Sequence, residues 1–129
     1  MKGACKVRQS SREVGLRGED VAVDCLEALG LSIVSRNFRS RFGEIDLIAK
    51  DGDTIVFVEV KARRSRQFGK AVEQITKGKQ RKIMKAAIEY LRRYGALGSC
   101  VRFDVLAIDI SPGGEVRIEH VKGAFNGWR

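Results

Sequence analysis

The chain has 129 residues, 43% of them apolar and 32% charged, with 1 proline. This composition excludes disorder, low complexity and two full-sized domains, and supplies one core. Twenty-five Lys and Arg against 16 Asp and Glu leave +9, a potential that favours a polyanion, nucleic acid first and an anionic membrane second. No apolar run reaches the roughly 18 residues of a membrane helix, and the first eight residues lack the hydrophobic stretch of a secretory signal, so a cytoplasmic protein with no membrane partner is expected. Cys5, Cys25 and Cys100 are odd in number and widely spaced, which fits reduced thiols better than disulfides or a zinc site.

Residues 1–11 are basic and without period and read as a flexible arm. Ser10 and Glu13 form a capping box for a helix that runs to about Leu29, with Gly30 closing it. At 100° per residue Gly15, Gly18, Ala22, Cys25, Leu26 and Leu29 share one stripe, with Glu19 at its margin. A strand is predicted over Leu31–Arg36, then a basic continuation or loop from Asn37 to Gly43. The clearest hairpin follows: Glu44–Ala49 and Thr54–Lys61 flank Lys50-Asp51-Gly52-Asp53, which suits a tight primed turn. After a basic loop over 61–70, a helix is predicted from Thr76 to Tyr94, with Ile83, Ala87, Tyr90, Leu91 and Tyr94 at core spacing. Cys100–Asp109 and Val116–Val121 read as strands around a turn at 111–114. The order αβββαββ points to an α/β or α+β layer structure with one mixed sheet covered by helices. The expected organisation is an arm (1–11), one domain (12–122) and a tail (123–129).

Alternation along the hairpin places Ile45, Leu47, Ala49, Val56, Val58 and Val60 on one apolar face. The other face carries Ile48, Ile55 and Phe57 near the turn, and Glu44, Asp46, Glu59 and Lys61 at the far end. A Gly52-Asp53 loop sets Asp46 opposite Glu59, their Cβ atoms about 5 Å apart, and an Asp51-Gly52 loop makes them diagonal neighbours about 7–8 Å apart. Carboxylates that close repel unless a proton or cation lies between them, and oxygen ligands select a hard ion such as Mg²⁺ or Mn²⁺. The same charges also fit a solvated hairpin end neutralised by Lys61.

Arg17-Gly18-Glu19, Gly43-Glu44-Ile45-Asp46-Leu47-Ile48-Ala49, Phe57-Val58-Glu59-Val60-Lys61 and Arg102-Phe103-Asp104-Val105 resemble, in order and spacing, the YraN-like family of small bacterial proteins. That family is similar to archaeal Holliday junction resolvases of the PD-(D/E)xK superfamily. The resemblance spans about residues 12–122 and implies a restriction-endonuclease-like αβββαβ core with a central mixed sheet flanked by helices. It implies Asp46 and Glu59 as ligands of Mg²⁺ or Mn²⁺ and the Val60 main-chain carbonyl as a third. Lys61 is then the residue that orients or deprotonates water, and Glu19 an additional ligand or water partner. Ile45 stands where the superfamily's name places proline. The implied activity is metal-dependent hydrolysis of DNA, with branched DNA in recombination or repair as substrate class and a two-fold homodimer as assembly.

Arg36, Arg39, Arg41, Arg63, Arg64, Arg66, Lys77 and Lys79 are the candidate phosphate contacts. With His120 the only histidine and no G-x-x-x-x-G-K-[ST] loop, triad hydrolysis, a multi-histidine metal site and a nucleotide-driven motor are poorly supported. Two readings stay open: a metal-dependent endonuclease, and a nuclease-like DNA-binding or complex-forming module with little catalysis.

Overall fold

A computed structural model of the chain describes residues 2–7, 11–64 and 75–125. Six strands and two helices follow in the order β1 (Lys2–Val7), α1 (Ser11–Ala28), β2 (Ser32–Ser40), β3 (Gly43–Asp51), β4 (Thr54–Arg64), α2 (Lys77–Arg93), β5 (Val101–Ile110) and β6 (Val116–Val121). They build one sheet in the order β1-β6-β5-β4-β3-β2. β4 and β5 pair in parallel and every other neighbouring pair is antiparallel, so the sheet is mixed. The molecule is an α/β protein consistent with the restriction-endonuclease-like core.

Each face of the sheet carries a helix, so the central strands are apolar on both sides. On the α1 face, Val21, Ala22, Val23, Cys25 and Leu26 pack with Leu47, Ala49, Val56, Val58, Leu106 and Ile108. On the α2 face, Ile83, Ala86, Ala87, Tyr90 and Leu91 pack with Phe38, Ile45, Ile48, Phe57, Phe103 and Val105. Both helices end as their sequences direct. Gly30, at φ +95°, supplies the left-handed residue beyond α1, and the amides of Gly30 and Leu31 donate to the carbonyls of Glu27 and Leu26. Thr76 caps α2 by accepting from the Lys79 amide at 3.1 Å, and Tyr94 closes the other end. The expected Ser10 cap lies outside the described residues.

Several expectations need correction. Residues 2–7 do not form a loose arm: they pair antiparallel with β6, from Lys2↔Val121 to Val7↔Val116. Edge pairing uses backbone hydrogen bonds and needs no apolar alternation. Of the two readings of the run from Asn37, continuation holds as far as Ser40, since an irregularity between Ile33 and Ser35 and the left-handed Asn37 (φ 52°) let the ladder with β3 persist. Ile45 packs on the α2 face with Phe38, and not with Leu47 and Ala49. The alternation breaks at Asp46, where the β3–β4 ladder stops at Leu47↔Val58 and the facing position of β2 is Asn37. Leu29 and Tyr94, expected in the core, are exposed because each lies just past the end of its helix.

The Arg102-Phe103-Asp104-Val105 run ties β5 to its surroundings. The Asp104 carboxylate is fully buried and accepts from Arg102 Nε (2.8 Å), Arg102 Nη2 (3.0 Å) and the Gly123 amide (3.0 Å), with His120 Nε2 at 2.7 Å. Arg102 reaches on to Asp51 at the end of β3 at 2.9 Å. Burial alone would raise Asp104, but His120, Arg102 and Gly123 outweigh it and hold the carboxyl below its usual range.

Candidate active site

Asp46 and Glu59 lie on neighbouring strands at the end of the hairpin away from its turn. The turn is the two-residue Gly52-Asp53 loop, with Asp51 paired to Thr54 and Gly52 at φ +60°. That register sets the two acids opposite each other just past the last ladder pair, the closer of the two predicted arrangements. The Val60 amide donates to Asp46 Oδ2 at 2.8 Å and so orients the carboxylate. The two carboxyl groups are close enough to act on each other's charge, and such a pair favours a proton or a cation between them.

The electrostatics follow from this crowding. Burial pushes Glu59 up to about 7, with the adjacent Asp46 charge as the second cause. Burial also raises Asp46, opposed by the Val60 amide, the hydrogen bond from Glu59 and the charge of Lys79. The cations acting on the pair are Lys79, whose Nζ lies 3.7 Å from Glu59 Oε2, and Lys61, two residues along β4. A half-buried pair of facing carboxylates is a donor set that fits a hard divalent cation.

The remaining predicted residues are placed differently. Glu19 Oε2 accepts from Asn37 Nδ2 at 2.8 Å, and Asn37 is the β2 residue that faces Asp46. Among the described residues no three His, Cys, Asp or Glu side chains converge as a metal-holding group. At Val60 the amide donates to Asp46 Oδ2, so the residue whose carbonyl the resemblance names as a third ligand lies beside the pair. Arg36 pairs with Asp20 at 2.8 Å and joins β2 to α1. Arg63 pairs with Asp109 and is largely covered. Arg41 lies 3.8 Å from Glu89, while Arg39 and Lys77 are exposed. Arg64 ends β4, and Arg66 lies outside the described residues.

Two features escaped the sequence reading. Phe42, in the β2–β3 turn, has Arg41 over its ring at 5.0 Å and Lys85 of α2 at 5.7 Å. Lys79, a candidate phosphate contact by sequence, lies 3.7 Å from Glu59. An aromatic between basic residues in the turn was a readable signal for the first; the second depends on where α2 docks.

A mixed, helix-covered sheet with a carboxylate pair where its central hairpin opens makes this an α/β protein consistent with a restriction-endonuclease-like core. The chain belongs to UPF0102, described as an uncharacterised protein family, whose model matches residues 18–108. It is 52% identical over 112 residues to a UPF0102 protein of Rhodococcus jostii (strain RHA1), covering 87% of this chain and 95% of that protein. A UPF0102 protein of Geobacter sulfurreducens is 50% identical over 87% of this chain and 88% of its own length. One of Symbiobacterium thermophilum is 46% identical over 90% and 98%.

Proposed function

We propose that the protein is a Mg²⁺- or Mn²⁺-dependent DNA endonuclease acting on branched DNA. The observation that carries this reading is the facing Asp46–Glu59 pair at the open end of the hairpin, with Val60 donating to Asp46 and Lys79 3.7 Å from Glu59. A binding surface for a polyanion gains nothing from two acids forced together, whereas phosphodiester hydrolysis uses them to hold a hard cation. That cation, when bound by Asp46 and Glu59, supplies charge stabilisation at the scissile phosphate and activation of water. The Val60 amide keeps Asp46 aimed at Glu59. Lys61, on the Glu59 face of β4, orients or deprotonates the attacking water. The α2 face, with Lys77, Arg81, Lys82 and Lys85 exposed on it, carries the phosphate backbone.

A nuclease-like DNA-binding module of weak catalysis is the second reading, and one observation favours it. Glu19 is hydrogen-bonded by Asn37, and among the described residues no three acidic side chains converge as a metal-holding group. Cleavage of matched linear, single-stranded, flap and four-way DNA with Mn²⁺ separates the two readings. Titration calorimetry with Mn²⁺ supplies the binding arm. The first reading expects preferential cutting of the four-way substrate, lost in Asp46→Ala together with at least tenfold of the Mn²⁺ affinity. DNA binding without cleavage by the parent protein selects the second.

A further inference from the structure

Resting on Asp46 and Glu59 as the cation-holding pair, we propose that Lys79 is the pair's built-in counter-ion. Its ammonium occupies Glu59 in the cation-free protein, and a divalent cation expels it and frees it for a phosphate of the bound nucleic acid. Its Nζ lies 3.7 Å from Glu59 Oε2, a charge contact longer than a hydrogen bond and so readily exchanged. The charge of Lys79 acts on both carboxyls of the pair.

The placement of Lys79 runs against the local physics of its helix. The first turn of α2 carries no acid but does carry Lys77 and Lys79, at the end where the helix dipole repels cations. What offsets that repulsion at Lys79 comes from another element, the carboxylate of β4. The backbone there is fixed, since the Lys79 amide donates to Thr76 Oγ1. Only the side chain needs to move, and it is 45% exposed on a flexible four-carbon stem. A divalent cation on the same carboxylate puts two positive centres within a few ångströms of each other. The monovalent, solvent-accessible one leaves.

The test is titration calorimetry of DNA-free protein with Mn²⁺ at constant ionic strength, comparing the parent with Lys79→Gln, Lys79→Arg and Arg92→Gln. Removing the competitor is expected to tighten Mn²⁺ binding about two- to fivefold in Lys79→Gln, the worth of a half-exposed ion pair. Lys79→Arg, which keeps the charge, and Arg92→Gln, which removes one at the far end of α2, are expected to bind as the parent does. Unchanged or weaker binding in Lys79→Gln, or equal tightening in Arg92→Gln, overturns the counter-ion role alone. A parent protein that binds no Mn²⁺ overturns the reading of the site and this proposal with it. In parallel, the Lys79 Nζ resonance, assigned by its loss in Lys79→Gln, is expected to shift when Mg²⁺ is added to the parent and to stay in place in Asp46→Ala. A resonance that Mg²⁺ leaves unmoved in the parent overturns the exchange.

Discussion

Lys61 differs from the other basic residues in that it follows Glu59 on the same face of β4, while Arg36 and Arg63 are engaged by Asp20 and Asp109. As one of 25 basic residues it adds little to affinity, so its loss falls on the chemical step. Lys61→Ala is expected to lower single-turnover cleavage about 10²–10⁴-fold at saturating DNA and metal while DNA affinity changes less than twofold. Glu59 makes a second, pH-dependent prediction. Its carboxyl titrates near 7 in the folded protein against 4.5 ordinarily, so the folded state holds the proton more tightly. The stability this contributes is fully present below pH 4.5 and is lost as pH rises through about 7. Urea unfolding of metal-free protein is expected to show the parent losing stability between pH 5 and 8 and Glu59→Gln losing less. Equal losses in both would place the titration on another group.

At the scale of elements, the hairpin was legible because three signals agree: alternation, an Asp-Gly-Asp turn and an even loop that puts Asp46 and Glu59 on one face. β1 and the outer half of β2 were not, since an edge strand is held by its neighbour's backbone and Asn37-Phe38-Arg39-Ser40 carries no period. The break at Asp46 hid the true face of Ile45, because alternation rules assume an unbroken pleat. Glu19 reads as marginal to the α1 stripe, and its partner Asn37 belongs to a run that reads equally as strand continuation or loop, so the contact between them is not visible in the sequence. The contact of Lys79 depends on the docking of α2, a tertiary fact that helical periodicity does not encode. The buried network of Asp104 shows how β5 is anchored to β6 and to the hairpin's turn end. Asp104→Asn leaves Arg102 without its fully buried partner and is expected to cost about 3 kcal/mol in urea unfolding at pH 7. Since the folded carboxyl lies below its usual range, the charge-dependent part of this difference is present at neutral pH and fades as the solution is acidified through that lowered value.

For the whole molecule, a charge of +9 means that binding to DNA displaces counterions in proportion to the phosphates contacted. With about five contacts, log K against log salt is expected to fall with a slope near −4 to −5, measured by anisotropy in the presence of EDTA. A slope near zero would remove the phosphate-tracking role of the basic face. The single parallel pairing, β4 with β5, bears on how such a molecule assembles. β3 and β4 can meet through two residues, on the microsecond scale of hairpins, but β4 cannot meet β5 until the intervening chain, α2 included, has been made. A chain emerging from the ribosome therefore brings its two acids together, with Lys61 beside them, before Lys79 of α2 exists. Until Val101 arrives, the far edge of β4, rich in valine, has no strand to pair with, and the nascent protein is most open to aggregation in that interval.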